Sequence, residues 1–186
     1  RAVYGDQPIG WPIAGSVETV EQMQRSEFTE HMQRYYTAEN AVLSVAGNVT
    51  HTDVVGWATD AFANLDRGTP PTPPDSDLDR PEGYLQLDPR DLEQTNLALS
   101  MRGIARRDPD RYAFDIMITA LGRGMSSRLF QEVRERRGLA YSVSAGGARY
   151  SDTGSLTVSA GVTREHQEEA LEVILTELRR LVDEPI

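Results

Sequence analysis

A proline-rich segment near the middle of the chain limits what the chain can fold into more than any other feature. Residues 67–81 contain five of the ten prolines in the sequence. Proline lacks a backbone N–H and fixes its φ angle, so such a cluster cannot form a helix interior or a central strand. We therefore predict an extended linker over residues 67–82, with a domain boundary there.

The hydrophobic pattern before the linker predicts three helices and one strand. A short apolar run rich in β-forming residues predicts a buried strand over residues 41–46. Helical spacing predicts a first helix that Ser16 caps and that extends to about Gln24, and a second helix that Ser26 caps. A third helix is predicted over residues 52–66.

After the linker, alternating apolar residues predict strands over 83–88 and 95–101, followed by an antiparallel hairpin. The first hairpin strand is predicted from Tyr141, Val143 and Ala145, which alternate with small polar residues, and the second from Leu156, Val158 and Ala160. Gly146-Gly147 predicts a bulge or a close approach of another element in the first hairpin strand.

Three helices are also predicted after the linker. Asp108 is predicted to cap the first, with Pro109 in its first turn, and Ser126 or Ser127 to cap the second. Thr163 is predicted to cap the third, which has core positions at Leu171, Ile174, Leu175, Leu178, Leu181 and Val182. Together these elements predict an α+β fold, with a largely antiparallel sheet and helices packed on one face.

Composition excludes several classes of function. The 186-residue chain has a net charge of −10, which disfavours binding to the phosphates of nucleic acids. No apolar run reaches the roughly 20 residues that a membrane-spanning helix needs. The absence of cysteine excludes disulfides, thiol nucleophiles and cysteine-based zinc sites. We expect a cytoplasmic protein with neither a nucleic-acid nor a membrane partner.

The residues from Leu121 to Val143 carry the clearest chemical signal. A glycine-rich turn precedes a basic helix that contains Arg134, and Tyr141 follows at the start of a strand, after Gly138. A guanidinium and a phenol can both donate hydrogen bonds to a peptide oxygen that gains negative charge under attack. From the pattern alone, the simpler and favoured interpretation is a tyrosine in the core and a solvated arginine on the helix surface.

Residues 121–143 closely resemble a signature of the pitrilysin (insulinase-like, inverzincin) zinc metallopeptidases, in their downstream homologous domain. Residues 4–15 and 35–49 resemble two segments of the upstream homologous domain in the same family. The resemblance implies a metallopeptidase homologous domain of the kind shared by LuxS and the processing peptidases. The resemblance, carried by these three segments, extends over most of the chain.

The resemblance also implies a domain organisation. Residues 1–66 would be the C-terminal part of the upstream peptidase-like domain, and residues 67–82 the linker. Residues 83–186 would form much of the downstream, inactive, substrate-binding domain, truncated at its C-terminus. We thus expect the chain to be a fragment of a longer protein.

The activity that the resemblance implies is peptide-bond hydrolysis by a zinc-dependent metalloendopeptidase. Arg134 and Tyr141 would support the substrate and the transition state, and Gly122 and Gly124 would also contact substrate. The implied partners are peptide substrates and either the other half of the same protein or a homologous subunit.

The chain departs from the family in one respect. The inverted zinc motif, H-x-x-E-H, is absent, and His31, His51 and His166 are not spaced as metal ligands. The resemblance places every zinc ligand upstream of Arg1. We therefore expect zinc in the intact protein, but no metal site and no activity in this fragment alone.

Two alternative functions stay open. The chain could belong to a non-catalytic partner or scaffold subunit of a heteromeric processing peptidase, which carries the Arg/Tyr pair while another subunit carries zinc. It could also be a simple binding module without peptidase ancestry, in which case Arg134 and Tyr141 would not affect catalysis.

Overall fold

The computed structural model describes residues 2–79 and 85–184. These residues divide into two compact units. The helical unit consists of residues 12–74, and the sheet unit consists of residues 2–11 together with the described residues from 75 onward. Residues 2–11 therefore pack with the residues beyond the proline-rich segment. The assignment of 1–66 and 83–186 to successive peptidase-like domains stays a prediction.

The helical unit contains three α-helices: α1 (Val17–Gln22), α2 (Arg25–Tyr35) and α3 (His51–Ala61). Ser16 caps α1 as predicted, because its hydroxyl accepts a hydrogen bond from the Thr19 backbone N–H. All three helices begin within two residues of their predicted starts, although α3 ends five residues early.

The predicted cap of α2 is wrong. Ser26 lies inside the helix, and the cap is Gln24, whose backbone N–H donates to the Glu27 carboxylate at 2.7 Å. The helix thus begins one residue before Ser26, because an acidic residue three positions after the cap satisfies the cap's free donor.

The predicted strand over residues 41–46 is also wrong. These residues have no assigned secondary structure, and Val42 is 95% exposed. A strand requires a hydrogen-bonded neighbour, and no described residue forms a ladder with this segment. The segment does contain β-forming residues, but its composition does not provide a neighbouring strand with which it could pair.

The described residues of the sheet unit form three strands: β1 (Thr95–Gly103), β2 (Ala140–Arg149) and β3 (Gly154–Val162). They form an antiparallel sheet in the order β1-β3-β2. The predicted β2–β3 hairpin is confirmed. Of the strand predicted over 83–88, residues 83 and 84 lie outside the described residues, and residues 85–88 form no strand.

Helices cover one face of this sheet. They are α4 (Arg111–Gly122), a π-helix (Phe130–Glu135) and α5 (Gln167–Asp183). A single cluster of buried apolar residues lies between these helices and the sheet, and includes Ile118, Leu121, Leu129, Val133, Val158, Val162 and Ile174. The prediction of an α+β fold with helices on one face of an antiparallel sheet is confirmed.

Three details of these helices differ from the sequence prediction. Asp108 precedes α4 in a turn, where its carboxylate accepts the Asp110 N–H at 2.9 Å. A 3-10 turn, Arg164–His166, separates Thr163 from α5. Val182 is exposed rather than part of the core, because the buried stripe of α5 consists of Ala170, Val173, Ile174 and Glu177.

Residues 2–11 are attached to the turn between β2 and β3. The buried Tyr4 hydroxyl donates to the Gly154 carbonyl, and its ring meets the edge of Tyr150. The Gln7 side-chain amide accepts the Asp77 N–H at 2.9 Å and donates to the Asp77 carbonyl at 3.0 Å. Among the described residues, no helix is long and apolar enough to span a membrane.

Candidate functional site

Arg134 lies in the π-helix that follows the glycine-rich turn. Ser127, one of the two predicted caps, precedes the helix and is buried, and its hydroxyl donates to the Gly124 carbonyl at 2.7 Å. Leu129 and Val133 anchor the inner face of the helix in the core, where both are fully buried. The predicted helix is therefore present, but over Phe130–Glu135 it has the wider π form, which is frequent at functional sites.

The Arg134 guanidinium is on the exposed side of this helix. Its central carbon is 5.1 Å from the centroid of the Phe130 ring. Within the described part of the chain, no hydrogen bond or ion pair engages the guanidinium, whereas the nearby Glu132 carboxylate is paired with Arg136. No described residue therefore occupies the N–H donors of Arg134, which can bind a ligand.

Gly138 reverses the chain between Arg134 and Tyr141. Its φ of 65° is in the left-handed region, and its N–H donates to the Arg134 carbonyl at 3.0 Å. The next N–H, of the buried Leu139, donates to the Val133 carbonyl at 2.9 Å. This pair of hydrogen bonds ends the helix and directs the chain immediately into β2.

Tyr141 is the extra residue of a β-bulge. Ala140 is opposite Val162 and Ser142 is opposite the adjacent Gly161, so Tyr141 has no partner on β3. The tyrosine is 61% exposed, and among the described residues its hydroxyl makes no hydrogen bond. The sequence analysis did not predict this bulge, which turns the phenol outward while Val143 is buried.

The backbone places Arg134 and Tyr141 on either side of one tight turn, with both side chains exposed. No hydrogen bond or ring contact joins these two side chains within the described residues. The bland interpretation, in which the tyrosine belongs to the core, is excluded by the exposure of the phenol. That the two groups converge on one substrate atom stays a prediction.

The two glycines of the preceding turn have different environments. Gly122 is buried, and a Cβ added there would lie 2.3 Å from the Ala145 backbone nitrogen, so glycine is needed for α4 to pack against β2. Gly124 has a φ of 84° and open space around its α-carbon. A role of either glycine in substrate binding stays a prediction.

An open cleft of about 360 Å³ lies along α4, next to the glycine-rich turn. Its lining residues are Asp115, Ile116, Thr119, Ala120, Arg123, Ser126 and Ser127. The sequence analysis missed this cleft, although the spacing of Asp115, Thr119 and Arg123 on one helix face was a usable signal. Arg134 and Tyr141 do not line it.

The described residues do not fit a zinc site. No group of three or more histidine or acidic side chains is close enough in them to hold a metal ion. His31 packs against the Tyr35 ring, with centroids 4.6 Å apart, and the His166 Nδ1 is 3.2 Å from the Thr163 hydroxyl. These histidines therefore have local structural contacts instead of a shared ligand geometry.

Comparison with known proteins gives consistent relationships. The sequence profile of the peptidase M16 inactive domain matches residues 22–186. A Mycobacterium leprae protein named as an uncharacterized zinc protease is 40% identical over 176 residues, which cover 93% of this chain and 40% of the relative. The chain thus spans well under half the length of this relative.

Solved structures share the fold. The peptidase M16 inactive domain from Pseudomonas fluorescens superposes with a TM-score of 0.84 at 24% identity, and covers all of this chain and 45% of that one. A chain of complex III from Candida albicans, with Inz-5 bound, gives 0.82 at 18% identity, and covers 97% of this chain and 45% of that one.

The sequence resemblance to the inverzincin peptidases is therefore confirmed by comparisons that cover nearly the whole chain. With its α+β sheet unit, its helix–glycine–strand signature and the match over residues 22–186, the chain belongs to the peptidase M16 family, through the inactive domain of that family.

Proposed function

We propose that this chain is the substrate-binding part of a zinc-dependent metalloendopeptidase and contributes no zinc ligands. The observation that carries the proposal is the outward presentation of Tyr141 by a bulge, one turn after Arg134, whose guanidinium has no hydrogen-bond or ion-pair partner among the described residues. A bulge costs a regular ladder pair, and bulges are over-represented next to active sites. The names of the relatives support the reaction class.

The chemistry of the two side chains suits peptide hydrolysis. The phenol O–H and the guanidinium N–H groups donate hydrogen bonds without changing protonation state at neutral pH. When a peptide carbonyl is attacked, its oxygen gains negative charge, and each such donor stabilises the transition state by roughly 3 kcal/mol. Arg134 and Tyr141 would bind the substrate backbone and hold this oxygen, and Gly124 would leave room for the peptide.

The implied macromolecular partner is a second peptidase-like half, in the same protein or in a homologous subunit. Many apolar side chains of the helical unit are exposed, including Val42, Leu43, Val45, Trp57 and Phe62. A surface of this kind is typical of a protein–protein contact. We propose that the second half covers it.

The alternative proposal is a non-catalytic partner or scaffold subunit. It is favoured by the fold shared with a chain of complex III, which is a multisubunit assembly. The two proposals differ in where the metal motif would be. An H-x-x-E-H sequence in the same full-length protein would support the enzyme, and its presence only in a separate subunit would support the partner role.

Substitution of Tyr141 in the full-length protein tests the proposal. Tyr141→Phe keeps the ring and removes the donor, so we expect kcat/KM for peptide cleavage to fall at least tenfold, or roughly 1.4 kcal/mol. Tyr36→Phe is a matched control, because Tyr36 is 64% exposed and its hydroxyl also has no hydrogen bond among the described residues. Unchanged cleavage by Tyr141→Phe would contradict the proposed role and favour a simple binding module.

A further inference from the structure

We propose that Phe130 is a positioning residue for Arg134. In this interpretation the phenyl ring holds the guanidinium in the orientation that receives the substrate. The inference rests on the proposed function, because it takes Arg134 to be a substrate-binding group. It gives Phe130 a role that the sequence resemblance did not assign to it.

The contact between the two side chains follows from the helix that carries both. Phe130 and Arg134 are four residues apart, so they project from the same side of the π-helix. The cationic carbon of Arg134 lies 5.1 Å from the ring centroid, within the range of a cation–π interaction. Phe130 is half-buried, and its fully buried neighbour Leu129 fixes the helix on which the ring is carried.

The ring is the one restraint on this guanidinium that the described residues reveal. Arg111, by comparison, lies 4.3 Å from the Tyr112 ring but also donates to the Asp108 carbonyl and the Tyr112 hydroxyl. No described residue anchors Arg134 through such hydrogen bonds. A free arginine side chain loses considerable rotamer entropy when it binds, and a ring that already restricts it reduces that loss.

Contact with a ring is better suited to a substrate-binding arginine than an ion pair is. A carboxylate partner would occupy N–H donors of Arg134 and compete with a substrate carbonyl. A phenyl ring attracts the cation through its π face, which leaves all five N–H donors available. The carboxylate of nearby Glu132 is bonded to Arg136 instead.

A double-mutant cycle in the full-length protein tests the inference. Phe130→Leu removes the π face and keeps an apolar side chain, and Phe130→Tyr keeps the ring. We expect Phe130→Leu to lower kcat/KM for a peptide substrate about two- to fivefold, the factor that corresponds to an exposed cation–π contact. Phe130→Tyr should retain wild-type kcat/KM, and thermal unfolding should show that both variants are folded.

The second arm uses Arg134→Ala. If Phe130 acts through Arg134, Phe130→Leu should have no further effect on kcat/KM in the Arg134→Ala background. An equal loss in both backgrounds, or no loss in either, would overturn the positioning role. If Arg134→Ala itself leaves kcat/KM unchanged, the proposed function of Arg134 is overturned instead.

NMR of the 186-residue chain separates the two failures without using activity. The side-chain resonances of Arg134 should carry a ring-current shift that disappears in Phe130→Leu and persists in Phe130→Tyr. Arg134 resonances that do not respond to Phe130→Leu would overturn the contact, and with it the positioning role, whatever the result of the cleavage assay.

Discussion

Among the described residues, fifteen apolar side chains of the sheet unit form one buried cluster, whereas the helical unit buries none of its own apolar side chains. Side-chain caps precede α1 and α3 of the helical unit, at Ser16 and Thr50, whereas α5 of the sheet unit begins without one. Helices of about eleven residues are marginal in water unless an apolar face is packed against something else. The contrast shows that correct local signals are enough to start a helix but not to stabilise one.

Truncation of leucine in each unit is expected to give the largest difference. Leu121 is fully buried in α4, so Leu121→Ala should lower the free energy of unfolding by about 2–5 kcal/mol. Leu43 is 56% exposed, so Leu43→Ala should change it by less than about 0.5 kcal/mol. Urea denaturation followed by circular dichroism measures both, and equal losses would remove the contrast between the units.

Adding one methyl group at a glycine of each unit should give effects of opposite sign. Gly122→Ala forces a Cβ against the Ala145 backbone and should destabilise the protein by about 1–3 kcal/mol. Gly56 is inside α3 with nothing within 4 Å of an added Cβ, so Gly56→Ala should stabilise that helix by about 0.5–1 kcal/mol. Hydrogen exchange of the α3 and α4 amides would resolve the two changes separately. Destabilisation by Gly56→Ala would mean that α3 is more closely packed than described.

A further expected effect concerns the attachment of residues 2–11 to the sheet unit. Burial raises the pKa of the Tyr4 phenol above its ordinary value, because the ionised form is poorly solvated there. The folded state therefore holds this proton more tightly than the unfolded state. The resulting stability is complete below the unfolded pKa of about 10 and is lost as pH rises through the folded pKa.

Tyr4→Phe should remove this pH dependence. At neutral pH the variant should lose about 1 kcal/mol, because the hydrogen bond to the Gly154 carbonyl is absent. Thermal unfolding of both proteins is measured between pH 8 and about 11. The Tm values of the two proteins should approach each other at the alkaline end. A difference in Tm between the two proteins that widens with pH would contradict the direction of the pKa shift.

Local signals in the sequence were sufficient for much of the fold. The Ser16 cap, the β2–β3 hairpin and the presence of α5 were each predicted from residues close together in the chain. The close approach predicted at Gly146-Gly147 is also confirmed, because a Cβ on Gly147 would lie 2.6 Å from Ile118 Cδ1. Such features depend on periodicity and backbone freedom, which a single sequence records directly.

The failures share a non-local cause. A strand over residues 41–46 needs a neighbouring strand, and the sequence of one segment does not indicate whether a neighbour exists. The bulge at Tyr141 was missed because Tyr141, Val143 and Ala145 alternate regularly with polar residues in the sequence. Only pairing with β3 shows that the ladder skips one residue.

The candidate site was partly accessible from the sequence. Arg134 and Tyr141 were singled out by the resemblance, since the pattern alone favoured structural roles for both. The contact of Phe130 with Arg134 and the cleft along α4 were not predicted. Both depend on side-chain directions, which the spacing of residues constrains but does not determine.

The bulge in β2 also affects how this segment can tolerate a change in length. Removing Tyr141 would leave Ala140 opposite Val162 and the former Ser142 opposite Gly161, which is an ordinary antiparallel ladder. Val143 and Ala145 would still face the core, so a one-residue deletion at this point would preserve the alternation of inward and outward side chains along the strand. The architecture can thus persist in a protein that has lost the phenol, and an intact fold by itself does not guarantee that the phenol is presented.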